Sequence, residues 1–177
     1  ELDLTSVVIQ NTDGGVEGNG DIFINDLVAW SADTQLTLNA ERNVQINDRI
    51  IADGKSAGLI IKPALGGEGR YSLGAGGSIT LNGLNASLQI SGTDFTLIRD
   101  INALQLLETK GGNYALATDI DASATAGWNR AAGFTPIGTA SNPFDGILDG
   151  LGHTLTGLTI NRPTESGIGL FAQSNGQ

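Results

Sequence analysis

Four aspartates near the carboxyl end are the residues whose type and spacing come closest to a catalytic site: Asp119, Asp121, Asp145 and Asp149. The first two are two positions apart, so on a strand they would lie on one face. Paired carboxylates carry acid and base catalysis in enzymes that cleave polysaccharides. An acidic sugar would also require basic residues, and only Arg130 and Arg162 lie nearby. Aspartates beside Gly and Asn more often cap turns, so we expect no catalytic residue.

His153 is the only histidine, and the chain has no cysteine. The sequence therefore offers no Cys/His pair and at most one Ser/His/Asp set. His153 lies in the strand-like segment Gly152–Leu155. We expect a structural residue that forms hydrogen bonds in a turn or a stack.

The same aspartates are candidate calcium ligands, but neither Asp119–Asp121 nor Asp145–Gly150 matches the twelve-residue EF-hand loop. Gly66–Arg70 departs from the glycine-aspartate nonapeptide of calcium β-rolls at its Asp position. Gly74–Gly77 lacks the Gly-Lys-Ser/Thr ending of a phosphate loop and leads into a strand. We expect no metal and no cofactor.

Composition excludes several classes of protein. A formal net charge of −10 disfavours nucleic acid and anionic lipid as partners. Without cysteine there is no disulfide framework. No apolar run approaches the roughly 20 residues that cross a bilayer, so membrane insertion is not expected. The chain begins with Glu1 and holds no Met, which predicts a piece of a longer protein.

Alternation of apolar residues with other residues indicates short β-strands through most of the chain. Five segments alternate in this way and stop at Asn or just after it, a residue that accepts the left-handed backbone of a turn. They are Asp21–Asp26, Gln35–Asn39, Asn43–Asp48, Ser78–Gly83 and Gly157–Asn161. The pattern predicts an all-β protein.

Two of these strands repeat with a fixed offset. Ile22, Ile24 and Asn25 recur 22 positions later as Val44, Ile46 and Asn47. A fixed offset of this size is typical of a solenoid. The sequence predicts a parallel β-helix with coils of about 22 residues, an apolar interior and Asn ladders at the turns. Asn82 follows Asn47 by 35 positions, so insertions or shorter coils are expected between them.

Three of the strands carry a threonine at the equivalent outward position of their Leu-Thr-Leu-Asn type pattern. These residues are Thr37, Thr80 and Thr159. Phe23 and Gln45 fill that position in the other two strands. An ice-binding solenoid needs an unbroken threonine ladder, so we expect an ordinary β-surface with Thr37 exposed.

One segment, Arg99–Gly112, breaks the β pattern. Ile101, Leu104 and Leu107 recur every three residues, Asp100 offers an N-cap and Gly111 a stop, which predicts one short flanking helix. A strand with a loop is the alternative.

Three stretches have no apolar period and are expected to be loops: Asn11–Gly20, Leu65–Gly77 and Asp121–Asn142. None has the composition of a linker, so residues 1–177 are expected to form a single domain. The third loop carries the residues that we expect to contact a ligand, if any do: Trp128, Asn129, Arg130 and Phe134. The alternative is that Trp128 and Phe134 plug the β-helix or cover its flank.

The carboxyl-terminal third resembles the coil pattern of bacterial filamentous-haemagglutinin-like exoproteins. The segments that carry the resemblance are Asn113–Ser123, Gly127–Asn129, Gly133–Gly138, Phe144–Leu155 and Gly157–Pro163. Gly167–Phe171 is similar to the GLUG-type repeat of large surface adhesins, and Gly20–Ser31 with Leu36–Val44 also resembles the repeat region of such proteins.

The resemblance implies a right-handed parallel β-helix, two-partner secretion through an outer-membrane transporter, and a place outside the cell or on its surface. It also implies a downstream shaft section, packed coil to coil with the rest of its chain and without enzymatic activity, in adhesion, biofilm or virulence. The expected receptor is a glycan or protein on a host or bacterial surface. The alternatives are a polysaccharide-active β-helix enzyme and a β-helix protein that presents loops to a host protein.

Overall fold

The computed structural model describes residues 1–11, 20–65, 67–107 and 111–175. These residues form an all-β structure with mostly parallel strand pairs, one short α-helix and one 3₁₀ segment. The chain divides into two compact units, Glu1–Phe95 and Thr96–Gln177. The single β-helix expected over residues 1–177 remains a prediction.

The first unit is built from ten strands and the beginning of an eleventh. They are β1 (Val7–Gln10), β2 (Ile22–Ile24), β3 (Val28–Trp30), β4 (Gln35–Asn39), β5 (Val44–Ile46), β6 (Arg49–Ala52), β7 (Gly58–Lys62), β8 (Tyr71–Leu73), β9 (Ser78–Leu81), β10 (Ser87–Ile90) and β11 (Thr93–Ile98).

Strands β1 to β7 each pair in parallel with the strand three places later in the chain. Three sheets result, in the orders β1-β4-β7-β10, β2-β5-β8 and β3-β6-β9. Thr93–Phe95 of β11 then runs antiparallel to β10. Strand order 1, 4, 7 beside 2, 5, 8 and 3, 6, 9 means that the chain visits the three sheets in turn and then returns to the first.

The predicted 22-residue register is confirmed for the first step. Ile22 pairs with Val44 and Ile24 with Ile46, while Val28 also pairs 22 positions later, with Ile50. Later steps are longer: Val44 pairs with Tyr71, and Ile50 with Ile79. The later steps between paired strands are therefore longer than 22 positions, in line with the insertions expected between Asn47 and Asn82.

The core of the first unit consists of the inward residues of these strands. Ile46 lies in register with Ile24 and Leu73 and is fully buried. Leu38 and Leu59 are also fully buried, on adjacent strands of the first sheet. Aliphatic residues stacked at this strand spacing exclude water from the interior around Ile46, Leu38 and Leu59.

Polar side chains form ladders at the turns, as predicted. The Asn47 amide Nδ2 donates to Asn25 Oδ1 at 2.7 Å, and Asn82 Nδ2 donates to Asp53 Oδ1 at 2.6 Å. Asn82 thus stands above Asp53 rather than in the column of Asn47. The 35-position gap arose because the two asparagines belong to different columns.

The threonine alignment was wrong for a related reason. Thr37 pairs with Ile60 in one sheet, Thr80 pairs with Ile51 in another, and Thr159 lies outside the strands. Thr37 is also only 8% exposed, so the expected exposed position is a buried one.

Asp21, the residue directly before β2, is the centre of a polar cluster in the first unit. Its carboxylate accepts from Arg42 Nε at 2.9 Å and Nη2 at 2.8 Å, and from the backbone N–H of Asn43 at 3.0 Å. The Arg42 guanidinium is the main reason that the pKa of Asp21 falls to about 2. These bonds join the segment before β2 to the segment before β5, the strand with which β2 pairs.

We expect Asp21→Asn to destabilise the protein more at pH 6 than at pH 2. A carboxyl group whose folded pKa is depressed contributes stability above its unfolded pKa of 3.8 and loses it as the pH falls through about 2. Thermal melts of wild type and variant at both pH values measure the difference, with the exposed Asp26→Asn as control. An equal loss at both pH values would contradict the assignment.

The second unit has shorter elements. They are α1 (Ile101–Gln105), β12 (Asn113–Leu116), β13 (Ile120–Asp121), the 3₁₀ segment Ser123–Ala131, β14 (Ile147–Asp149) and β15 (Leu155–Thr156). β12 pairs in parallel with the end of β11 and with β14, and β13 pairs in parallel with β15. Phe134 and Phe144 are at the centre of its core.

The predicted helix is confirmed, although it is shorter than expected. Asp100 Oδ1 accepts from the backbone N–H of Asn102 and Ala103, and Ile101 and Leu104 are buried. The helix ends at Gln105 with Leu106 as its C-cap, so Gly111 is not its stop.

Three other assignments fail in whole or in part. Gly157–Asn161 contains no strand, because the chain turns at Gly157 in the left-handed region and only Ile160 forms an isolated bridge, to Gly133. Strand β8 lies inside the predicted loop Leu65–Gly77, where a short apolar alternation was overlooked. The 3₁₀ segment likewise occupies part of the predicted loop Asp121–Asn142. Most of the predicted loop Asn11–Gly20 lies outside the described residues.

Candidate functional site

The four residues expected to contact a ligand divide into two groups. Asn129 and Arg130 are exposed, whereas Phe134 is fully buried in the core of the second unit. Trp128 is half-buried and packs against that core. Phe134 is therefore a structural residue, in agreement with the alternative for this residue, and Trp128 and Phe134 do not form an exposed pair of rings.

The loop has an unusual backbone. Asn129, Arg130 and Ala131 have φ values of 51°, 59° and 67°, so three consecutive residues with side chains adopt the left-handed conformation. Each such residue costs about 1–3 kcal/mol unless its surroundings stabilise it. The neighbouring contacts must therefore hold this turn in place.

Thr135 is the centre of those contacts. Its backbone N–H donates to Gln105 Oε1 at 2.8 Å, and its carbonyl accepts from Gln105 Nε2 at 2.9 Å. Asn129 Nδ2 donates to the carbonyl of Gly133 at 2.7 Å and to Thr135 Oγ1 at 3.2 Å. One side-chain amide thus ties the loop to α1, and a second closes the loop on itself.

Arg162 supports the same loop from the other side. Its Nη2 donates to Thr135 Oγ1 at 3.1 Å and its Nε to the carbonyl of Phe134 at 3.3 Å. Its Nη1 forms an ion pair with Glu165 at 3.0 Å. Arg162 is therefore occupied by structural contacts, and the basic residue that stays exposed in this loop is Arg130.

A groove of about 240 Å³ lies beside the loop, lined by Asn102, Gln105, Leu106 and Trp128. Leu106 is 78% exposed, and Asn102 is exposed next to it on α1. A half-buried indole, an exposed leucine and an exposed amide form a small surface with both apolar and hydrogen-bonding groups. Such a surface can bind a flat or ring-shaped group weakly.

The aspartates act on the backbone, each at a different turn. Asp119 Oδ1 accepts from the backbone N–H of Thr154 at 2.8 Å, and Asp121 Oδ1 accepts from that of Ser123 at 2.8 Å. These N–H groups are the first cause of the lowered pKa of both carboxyls.

The second pair of aspartates also accepts hydrogen bonds from backbone N–H groups. Asp145 Oδ1 accepts from the N–H of Gly111 at 2.7 Å, and Asp149 Oδ1 accepts from the N–H of Leu151 at 2.9 Å. Within residues 1–11, 20–65, 67–107 and 111–175, no group of three or more acidic, His or Cys side chains is arranged to hold a metal ion.

His153 lies in a turn rather than in a strand, since its backbone N–H donates to the carbonyl of Gly150 at 2.8 Å. Its Nδ1 is 3.4 Å from Asp119 Oδ1, and its side chain is 7% exposed. The imidazole thus adds a polar contact to the Asp119 turn.

The chain is similar to part of a much longer protein. Over 82 residues it is 42% identical to Halomucin of Haloquadratum walsbyi, and this match covers 43% of the chain and 1% of Halomucin. The chain thus spans about 1% of the length of the curated relative it matches.

No family model matches the chain. No solved structure matches it either. In the described residues, no helix combines the length and the apolar character that a membrane crossing requires.

We expect EDTA to leave the thermal melting curve unchanged, because the four aspartates are bound to backbone N–H groups. Melts with EDTA and with millimolar CaCl₂ measure this, and NaCl of equal ionic strength is the control. A calcium-dependent rise of about 10 °C would show instead that the carboxylates form a metal site.

Sequence reasoning missed the residues that build the loop. Gln105 lies 30 positions from Thr135, and Arg162 lies 27 positions from it. A pairing over that distance leaves no local pattern in one sequence. Leu106, the C-cap of α1, carried a weak signal, since this large apolar residue lies outside the period of Ile101, Leu104 and Leu107.

Proposed function

We propose that the chain is a non-enzymatic segment of a secreted or cell-surface protein, a shaft that carries a small adhesive face. The stacking of the first unit carries the proposal: three parallel sheets grow by one strand per coil, in register, from one end. Such a structure extends by adding coils and so suits a spacer.

The proposed architecture of the first unit is a right-handed parallel β-helix. Parallel strands joined by a crossover are right-handed in about 98% of cases, which sets the expected hand. Three sheets visited in turn, with inward aliphatic columns and polar ladders at the corners, support this architecture.

Several features support a place outside the cell. The net charge of −10 favours a dispersed, hydrated surface, and a chain without cysteine needs no redox control during export. The partial similarity to a very long protein, Halomucin, fits a segment of a long chain. The resemblance to filamentous-haemagglutinin-like exoproteins extends the proposal to export through an outer-membrane transporter.

The proposed adhesive face is the groove of Asn102, Leu106 and Trp128 together with the exposed Arg130. Its receptor would be a glycan or protein on a host or bacterial surface. The fixed left-handed turn favours this role, because a rigid loop loses little entropy on binding. The aspartates are already engaged by turns, which favours adhesion over catalysis.

Sedimentation at low and high salt tests the shaft. Strands β1, β2 and β3 each pair on one side only within the described residues, and Val8 and Phe23 there are 62% and 45% exposed. Open parallel edges of this kind associate. We expect weak end-to-end association that added salt strengthens, since salt screens the charge of −10.

Val8→Lys should weaken this association, because lysine at an edge strand blocks pairing. Thr164→Lys makes the same charge change at an exposed position outside the strands and is the matched control. A chain that stays monomeric at both salt concentrations would contradict association through the unpaired edges of β1, β2 and β3. Equal association of both variants would contradict it as well.

A further inference from the structure

One three-residue motif of the chain lies at a corner of the first unit, outside the proposed adhesive face. Of the fourteen asparagines, only Asn85 begins an Asn-x-Ser/Thr triplet without proline, Asn85-Ala86-Ser87. This triplet is the acceptor motif for N-linked oligosaccharides, which requires the Asn amide and the hydroxyl two residues later to be accessible together.

The structure presents both groups at the surface. The triplet forms the corner between β9 and β10, where Ala86 N–H donates to the Gly83 carbonyl at 3.0 Å. Asn85 and Ser87 are both exposed. The backbone N–H of Asn85 donates to the carbonyl of Lys55 at 2.9 Å, which fixes the main chain of the corner while its side chain stays outside.

The Asn85 side chain differs from those of the ladder asparagines. Asn43, Asn47 and Asn82 donate from Nδ2 to an acidic or amide side chain on the coil before. Among the residues that the structure describes, none forms a hydrogen bond with the side-chain amide of Asn85. Its Nδ2 is therefore available without breaking a contact of the fold.

The register places Asn85 in a column of exposed corner residues. Gln35, Gly58 and Ser87 pair on successive strands, so Asp33, Ser56 and Asn85, two residues earlier, follow one another at the same corner. All three are exposed. A bulky group on this corner projects away from the interior columns and leaves the strand pairing intact.

Leu84 gives a physical reason for a modification here. It is 79% exposed at the tip of the same corner. Strand β9 beside it pairs on one side only within the described residues, and an apolar side chain at such an edge favours association. An oligosaccharide on the adjacent residue would cover this side chain with hydrated groups.

We propose that Asn85 is an acceptor for one N-linked oligosaccharide. In the transfer, a bond forms between Asn85 Nδ2 and C1 of the first sugar of a polyprenyl-pyrophosphate-linked oligosaccharide. The bond from C1 to the pyrophosphate oxygen breaks, and its electron pair leaves with the polyprenyl pyrophosphate. One Nδ2 proton passes to the solvent. The proposal rests on the extracellular place in the proposed function.

An acceptor assay on the purified chain tests the site without depending on adhesion. The chain is incubated with an oligosaccharyltransferase and a polyprenyl-pyrophosphate-linked oligosaccharide, and intact mass and peptide mapping follow. We expect one oligosaccharide per chain, on the peptide that contains Asn85. Circular dichroism before the reaction identifies variants that fail to fold, and only folded variants enter the comparison.

Variants make the result specific. Asn85→Gln and Ser87→Ala should abolish the added mass, whereas Ser87→Thr should retain it. Asn161→Gln, at an exposed asparagine outside such a triplet and outside the proposed adhesive face, is the matched control and should be modified like the wild type. No transfer to the folded chain, or transfer only to a synthetic peptide of residues 81–90, would overturn the proposal. Either result would leave the sedimentation test of the shaft unaffected.

Discussion

Replacing Ile46 with Asp should remove several kcal/mol from the free energy of unfolding of the first unit. Ile46 is fully buried between Ile24 and Leu73 in the stacked column. A carboxylate there loses its hydration and finds only aliphatic neighbours, so it must stay uncompensated or take up a proton. That loss is a large fraction of the total stability of about 5–15 kcal/mol that domains have.

Gln45→Asp is the matched control, because Gln45 lies on the same strand and points to the opposite face. It loses only the hydrogen bond from Gln45 Nε2 to Asn47 Oδ1, for a cost of about 1 kcal/mol. Denaturant unfolding of both variants measures the difference. Similar denaturation midpoints for the two variants would show that Ile46 does not face a packed interior. That result would also contradict the pairing of Ile24 with Ile46.

Phe134→Ala should cost about 3–5 kcal/mol in the second unit, the range for removing a large buried aromatic side chain. Phe134 is fully buried in the core that includes Tyr114, Phe144 and Ile137. Its ring cannot be replaced by a shift of the loop, because Arg162 Nε holds the Phe134 carbonyl and Gln105 holds Thr135. A cavity would therefore remain.

Leu106→Ala is the control for this prediction, since Leu106 is 78% exposed in the same unit. It should change the unfolding free energy by less than about 0.5 kcal/mol. Calorimetry of both variants reports the effect even where the two units unfold in separate transitions. A small loss of unfolding free energy for Phe134→Ala, together with altered glycan binding, would show instead that Phe134 contacts the ligand.

The sequence was informative where structure repeats locally. The alternation around Ile24 and Ile46 predicted both strands and their pairing, because inward positions of stacked coils must all be apolar. The spacing of Ile101 and Leu104, with Asp100 before them, predicted α1 for the same reason of local periodicity. The aspartates beside Gly and Asn were predicted to cap turns, and each accepts from a backbone N–H.

The remainder depends on contacts between residues far apart in the chain. Asn82 looked like a member of the Asn47 column because their strand endings are alike, yet it pairs with Asp53 on a different sheet. Thr37 alternates like an exposed residue and is nevertheless buried. Phe134 lay among polar residues that suggested an exposed loop, and only its distant partners reveal that it belongs to the core.

Adhesion and catalysis differ in what happens to a bound glycan. A binding surface of Trp128, Leu106 and Asn102 retains a glycan and releases it unchanged. An enzyme with Asp145 or Asp149 as acid or base would shorten it.

The most direct measurement is therefore mass spectrometry of acidic and neutral glycans recovered after long incubation with the purified chain. We expect glycans of unchanged length, with any retention on the immobilised chain lowered by Trp128→Ala and unaffected by Asp145→Asn. Shortened or unsaturated products that disappear in Asp145→Asn or Asp149→Asn would rule out a purely adhesive segment and establish a polysaccharide-cleaving enzyme instead.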